Sequence, residues 1–350
     1  MKCPLSLVIT SLAVLLACGT GCANRLTAYP DLLVGVPAKT APRPGENHVS
    51  VTYLGVNGYL LRSGETAIIV DPYFSRIGLR EVMMNAPVTS SDEAIAFARE
   101  EGAIPDHVDA FLITHCHFDH LFDVPSLQKA LGGKVIVSET GVHLCEASGI
   151  SRSDLRPANE GQVYQIGNAT ITILPAHHDL VLGKVPYPGV INEPLATAPQ
   201  RPKEWLLGTP QAFIIEMGGA RIYVESGGIS GFPPPVRDVD LAIIGTAVGN
   251  TERYVEAVRA LHPRYVLPSH QDNFFIPLRS GFQFSALSDF PRLKSADVAE
   301  KLPGDLVLMD YFHTWTLPEG RLPAIPKEKE SVFGKLRKWF RGLIGAEDGK

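Results

Sequence analysis

Cysteine is scarce in this chain: Cys3, Cys18, Cys22, Cys116 and Cys145 are the only five in 350 residues, and three of them fall within the first 22. That excludes a disulfide-dense scaffold. A surplus of positive charge is missing too, with 32 lysines and arginines against 37 aspartates and glutamates and a formal net charge of −5. General nucleic-acid binding needs clustered cations to neutralise phosphates, so no nucleic-acid partner is expected. The sequence has neither Gly-x-Ser-x-Gly nor Gly-x4-Gly-Lys-Ser/Thr, which removes the serine-nucleophile elbow and the phosphate-binding loop. What is present is ordinary globular composition, 45% hydrophobic and 20% charged, over a length that allows one large domain with appendages or two small ones.

Residues 1–22, MKCPLSLVITSLAVLLACGTGC, carry a cation at Lys2, an apolar run from Leu5 to Leu16, and then small residues and cysteine. This is the layout of a secretory signal, and the run is shorter than the roughly 20 residues of an untilted bilayer span. Leu15-Leu16-Ala17-Cys18 resembles a bacterial lipobox, so Cys18 is expected to be lipidated and to become the mature N-terminus. Cys22 is the second choice, because Gly19 stands where an aliphatic residue is expected. The expected location is the bacterial cell envelope, lipid-anchored and exposed to the periplasm or exterior. Residues 23–47, with Pro30, Pro37, Pro42 and Pro44, read as a tether. Residues 327–350 read as a basic amphipathic helix, with Leu336, Trp339, Phe340 and Leu343 on its apolar side and Lys335, Arg337, Lys338 and Arg341 between. Its apolar face has two candidate docking sites, the folded domain and an anionic membrane surface.

Between these ends, 48–320 reads as an α/β domain. Strand-like runs occur at His48 to Leu54, Gly58 to Leu61, Thr66 to Val70, Val108 to Thr114, Lys134 to Val137, Thr170 to Leu174, Ala212 to Glu216, Arg221 to Glu225, Leu241 to Ile244 and Tyr265 to Leu267. Helices are expected at Ser91 to Glu101, Val124 to Leu131 and Thr251 to Leu261. Between His178 and Gln211 six prolines rule out regular structure, and the stretch reads as a substrate-facing flap.

The chemistry concentrates in Thr114-His115-Cys116-His117-Phe118-Asp119-His120, directly after an apolar strand. Imidazole nitrogen and carboxylate oxygen are the donors that a borderline cation such as Zn²⁺ accepts. In extended backbone His115 and His117 point to one side and can grip one ion, while Asp119 and His120 can reach a second. Further donors must come from elsewhere. His177 and His178 follow one strand and His270 follows another, whereas His48, His107, His143, His262 and His313 lack such a context. Cys116, between two donors, reads as a small buried residue rather than a nucleophile.

His-x-His-x-Asp-His at 115–120, together with Asp71-Pro72, Pro-Ala-x-His ending at His178 and the late strand followed by His270, resembles the metallo-β-lactamase superfamily of hydrolases. The stretch Trp205 to Glu225 followed by Gly231-Phe232-Pro233 looks most like the branch containing the N-acylphosphatidylethanolamine-hydrolysing phospholipase D. The resemblance implies a four-layer αβ/βα sandwich, with His115, His117 and His178 on one metal and Asp119, His120 and His270 on a second. Zn²⁺ is the expected cofactor, as one or two ions, with Mn²⁺ and Fe²⁺ left open. The family's bridging aspartate has no counterpart: Gly227 stands at its position, and Glu225 is the candidate substitute. Without a bridging carboxylate the affinity of at least one metal site should fall. The expected activity is hydrolysis of an ester, lactone or phosphodiester, in a small molecule or a lipid, by metal-activated water, with Asp119 as catalytic proton acceptor. The competing expectation is a non-catalytic envelope lipoprotein with a degenerate metal site.

Overall fold

Short apolar runs bounded by glycine, proline and asparagine become two mixed sheets in a computed structural model, which describes residues 25–318 apart from 182, 228–235, 247–250, 289, 296–297 and 299–300. The signal and lipobox at 1–22, with Cys18 and Cys22, and the helix expected at 327–350 lie outside the described residues. The first sheet contains β1 (Val36–Pro37), β2 (Ser50–Gly55), β3 (Gly58–Ser63), β4 (Thr66–Val70), β5 (Ala110–Leu112), β6 (Lys134–Val137) and β7 (Leu155–Pro157). The second contains β8 (Val163–Ile166), β9 (Ala169–Pro175), β10 (Gln211–Met217), β11 (Ala220–Glu225), β12 (Leu241–Gly245), β13 (Tyr265–Ser269) and β14 (Asp305–Leu306). A last strand, β15 (His313–Thr316), returns to the first sheet, giving the orders β1-β15-β2-β3-β4-β5-β6-β7 and β14-β13-β12-β11-β10-β9-β8.

Both sheets change from antiparallel to parallel partway across, and the reason lies in the connections. Strands β2, β3 and β4 form an antiparallel meander through tight turns, whereas β4 through β7 run parallel. Parallel neighbours need crossovers, which are supplied by α1 (Leu79–Met84) and α2 (Asp92–Glu100), then α3 (Phe118–Leu121) and α4 (Val124–Leu131), then α5 (Glu139–Ala147). In the second sheet β11 to β14 are parallel, with α6 (Thr251–Leu261) joining β12 to β13. Strands covered on both faces should be apolar throughout rather than alternating. Accordingly every residue of β4, β5 and β12 is buried. The sheets and their helices form the expected α/β sandwich.

Two expectations need correction. Residues 25–47 are not a free tether: Leu26 is buried, Tyr29 packs edge-on against Phe284 and Phe290, Val34 N–H donates to the Leu308 carbonyl, and β1 pairs with β15. Proline fixes the extended backbone that a sheet edge accepts, so a proline-rich stretch can be a docked edge as readily as a linker. The strand before the histidine cluster is also shorter than expected. It ends at Leu112, and His115 and His117 occupy the loop that follows.

Candidate metal centre

The loop after β5 is held from two sides. Asp71, at the end of β4, accepts from Thr114 N–H (2.8 Å) and Thr114 Oγ1 (2.5 Å), while the Thr114 carbonyl accepts from Gln211 N–H and Cys116 N–H donates to Leu207. His117 is the residue before α3, so Asp119 and His120 fall in the first turn of that helix and both are buried. His178 lies just beyond β9 and His270 just beyond β13, each past the end of a strand of the second sheet.

The six candidate residues converge as two groups. Donor atoms of His115, His117 and His178 lie within 4.8 Å of one another, and so do those of Asp119, His120 and His270. The groups adjoin, since the rings of His115 and His120 are 3.9 Å apart between centroids. Four rings spend one nitrogen on a supporting acceptor, which fixes the nitrogen left over. His117 Nε2 donates to the Pro186 carbonyl (2.9 Å), His120 Nδ1 to Asp71 Oδ2 (2.9 Å) and His178 Nδ1 to the Asp179 carbonyl (2.8 Å). Thr114 gives its hydroxyl hydrogen to Asp71, so it accepts from His115 Nδ1 (3.2 Å). His115 Nε2 is left buried with no hydrogen-bond partner. A buried lone pair without a partner is costly, and a cation answers it. The donor set therefore fits a metal.

The electrostatics agree. Burial and the neighbouring histidines hold His115 well below its ordinary value, burial takes His117 down to about 3, and burial also lowers His178. All three stay neutral, the form that coordinates. Burial opposes charge on His120 and Asp119, but the pair outweighs it. His120 is raised by the Asp119 and Asp71 carboxylates, and Asp119 is lowered by His120 and by the His270 ring that meets its Oδ2 at 3.1 Å.

Sequence reasoning missed the residues that hold these donors. Asp71 was read only as an Asp-Pro landmark, yet it orients His120, and a carboxylate ending a strand beside the cluster was the available signal. A buried ion pair sits behind His270: Arg76 meets Asp272 Oδ2 at 2.8 Å, Tyr311 Oη donates to the same oxygen (2.6 Å), and Asp272 Oδ1 accepts from Val56 N–H. The Val56 carbonyl in turn accepts from His270 N–H. Gly55, at φ 95°, leaves the space that the Arg76 guanidinium fills.

The remaining candidates separate clearly. His177 is exposed and joins neither donor group, nor do His48, His107, His143, His262 and His313. Cys116 is buried beside Ser138, and burial pushes its thiol up to about 12, so it stays protonated. Glu225, the expected substitute for a bridging carboxylate, joins neither group; Tyr223 Oη donates to it (2.7 Å), and burial raises it to about 8. At Gly227 a Cβ would collide with the His177 carbonyl oxygen, and the Gly227 carbonyl accepts from Asp179 N–H (2.7 Å). Glycine there lets the His178 loop approach β11.

The donors open into a cavity of about 190 Å³. His117, Asp119, His178 and His270 line one part of it, and the expected flap contributes Val181, Pro186 and Tyr187. A larger hollow of about 440 Å³, among Asn47, Gly218, Asp240 and Arg264, is lined by none of the six donor residues.

A model of the metallo-β-lactamase superfamily matches residues 51–190, the span that holds β2 to β9, the histidine cluster and His178. Over that span the chain resembles the superfamily, and the two-sheet fold and the paired donor groups agree with the resemblance. The chain is 26% identical over 316 residues to a UPF0173 metal-dependent hydrolase of Myxococcus xanthus, covering 87% of this chain and 98% of that protein. It is 26% identical over 269 residues to a UPF0173 metal-dependent hydrolase of Thermus thermophilus, covering 75% of this chain and all of the relative. Among solved structures, Igni18, a metallo hydrolase from Ignicoccus hospitalis, covers 78% of this chain at 18% identity with a TM-score of 0.51, which speaks for the fold alone. The finer resemblance to the phospholipase D branch gains nothing from these relatives.

Proposed function

We propose that this protein is a metal-dependent hydrolase, with zinc as its metal, acting on an ester, lactone or phosphodiester at the cell envelope. The observation that carries the reading is the pair of adjoining donor groups, one all neutral imidazole and one containing an anionic aspartate, at one side of a cavity. His115, His117 and His178 would hold one cation, and Asp119, His120 and His270 a second. Bound cations supply there a water of pKa near 7 and polarisation of the oxygen under attack. Asp119 is the proton acceptor. Its Oδ2 faces His270 and His120, so Oδ1 is the oxygen left to take a proton from the attacking water. Asp71 keeps His120 in one tautomer, and the flap carbonyl of Pro186 does the same for His117.

The envelope location rests on the lipobox-like Leu15 to Cys18 and is tested by fatty-acid labelling. Label should disappear in Cys18→Ser and persist in Cys22→Ser. Gly227 supports the second reading, a non-catalytic lipoprotein, because no carboxylate among the described residues bridges the two groups. One experiment separates the two. The purified protein should hydrolyse generic esters or diesters, lose the activity to a chelator and regain it with zinc. Protein that takes up no metal and turns over nothing in those panels supports the second reading.

A further inference from the structure

Large apolar side chains at the surface gather at the mouth of the cavity. Seven are exposed among the described residues, and four of them, Met83, Met84, Leu180 and Val190, belong to α1 and the flap. Exposed apolar residues scattered singly are ordinary, whereas several at one opening mark an interface. Val82 of α1, Val181 of the flap and the Phe274–Phe275 wall line the cavity. Beside the two valines in the chain, Met84 is 73% and Leu180 57% exposed. The two elements are fastened together just past Met84. The Asn85 carbonyl accepts from Arg201 Nη1 (2.6 Å), Asn85 Oδ1 accepts from Lys203 N–H (3.0 Å), and Val88 N–H donates to the Gln200 carbonyl (2.8 Å). The apolar lining thus continues onto the rim. Over residues 79–84 and 179–204, Arg80, Lys184, Arg201 and Lys203 are matched by four carboxylates, so the rim attracts by hydrocarbon rather than by net charge.

The N-terminal segment arrives at the same end of the molecule. Tyr29 packs on Phe284 at 5.6 Å between centroids, Phe284 pairs with Asp272 across an antiparallel bridge, and Ser285 N–H donates to the Gln271 carbonyl (2.7 Å). Ser285 lines the cavity, and Gln271 follows His270. The docked stretch that begins at Arg25 therefore sits against the wall behind the second donor group. Seven steps along the chain separate Cys18 from Arg25, a reach of at most about 25 Å. An acyl chain on Cys18 would hold this end of the body next to the bilayer. The opposite end carries Glu65, in the turn before β4, because β4 runs from there toward Asp71 and the donors. The described chain also ends on that far side: Thr316 pairs with Ser50, which pairs with Arg62.

Resting on the envelope reading above, we propose that the rim formed by Met83, Met84, Leu180 and Val190 rests in the interfacial layer of a lipid bilayer, with the mouth of the cavity toward the membrane. The contact is apolar, so it requires no anionic lipid and does not weaken with salt.

The test places one dansylalanine, an environment-sensitive fluorescent residue, in the full chain, replacing Met84, Leu180 or, at the opposite end, Glu65. On phosphatidylcholine vesicles, emission from 84 and 180 should shift to the blue and be quenched by spin-labelled lipid, equally at low and high salt. Emission from 65 should stay that of a residue in water. Three results overturn the proposal: emission from 84 and 180 indifferent to vesicles, quenching there that high salt abolishes, or quenching at 65 as strong as at 84. The last is the pattern expected if the basic segment 327–350 sets the orientation. Fatty-acid labelling is run on the same preparations. Positions 84 and 180 in lipid without acylation would defeat the anchor and leave the rim's contact standing. Acylation with both positions in water would do the reverse.

Discussion

Replacing Asp71 by asparagine keeps the side chain's outline and removes its charge, so it isolates what that carboxylate does for His120. Asp71 is fully buried and accepts four hydrogen bonds. Oδ1 takes Thr114 N–H, while Oδ2 takes Thr114 Oγ1, Asn57 Nδ2 and His120 Nδ1. Every partner is a donor, so the new amide group must oppose at least one. The cheaper orientation puts NH₂ against Thr114 N–H and keeps oxygen toward His120, leaving one buried donor unpaired at a cost of about 1–3 kcal/mol. His120 then keeps its tautomer but loses the anion that raises its basicity. Loss of such a supporting carboxylate typically weakens metal binding 10- to 100-fold, or about 1.4–2.7 kcal/mol. Zinc affinity at pH 7, measured by competition with a chromophoric chelator, should show one of two binding steps weakened by that factor and the other unchanged. Denaturant unfolding of the metal-free protein should show the stability loss. Wild-type affinity for both cations in Asp71→Asn would refute the claim that Asp71 tunes the site.

Three further outcomes follow from the same geometry. His117→Ala should lose the binding step of the His115, His117 and His178 group while circular dichroism shows a folded protein, and unchanged metal content would remove His117 from the donor set. Gly227→Asp, which puts a carboxylate where the resemblance implies one, should lower metal content and cost about 1–3 kcal/mol of stability, because its Cβ collides with the loop carrying His178; tighter binding of a second metal would contradict this. The metal-free protein should lose stability as pH falls from 6.5 toward 3. Above 6.5 the unfolded chain binds no extra proton, whereas below it His115 and His117 take up protons only when unfolded, since burial holds them low, His117 to about 3. Each contributes about 1.4 kcal/mol per pH unit in that window, offset in part by Glu225, which burial holds protonated up to about 8 while the unfolded chain releases that proton above about 4.5; the raised value of His120 changes stability only above 6.5. A urea midpoint that stays flat or rises between pH 6.5 and 4.5 would contradict the assignment of neutral, buried rings.

The site was legible in the sequence wherever donors cluster locally or follow a strand. His115 to His120 announce themselves by spacing, and His178 and His270 by the apolar runs before them. Helices α4 and α6 and strands β4 and β6 were readable to the residue, because continuous β-branched runs and three-four spacing encode a buried strand and an amphipathic helix. The supports were not legible. Asp71 with His120, Arg76 with Asp272, and the Phe274–Phe275 wall join residues far apart in the chain, and no local period marks such pairings. Strand β8 alternates only between exposed and half-buried positions, so it carried no hydrophobic signal. The docked edge at 25–47 was hidden because its prolines serve linker and edge strand alike.

Zinc titration of the metal-free protein with elemental analysis, on wild type, His178→Ala and His270→Ala, tests most directly whether the two adjoining donor groups hold metal. Two equivalents per chain are expected in wild type, the second weaker because no carboxylate among the described residues bridges the groups. Each variant should lose one step and keep the other. Fewer than one equivalent in wild type, or both steps intact in either variant, would contradict it.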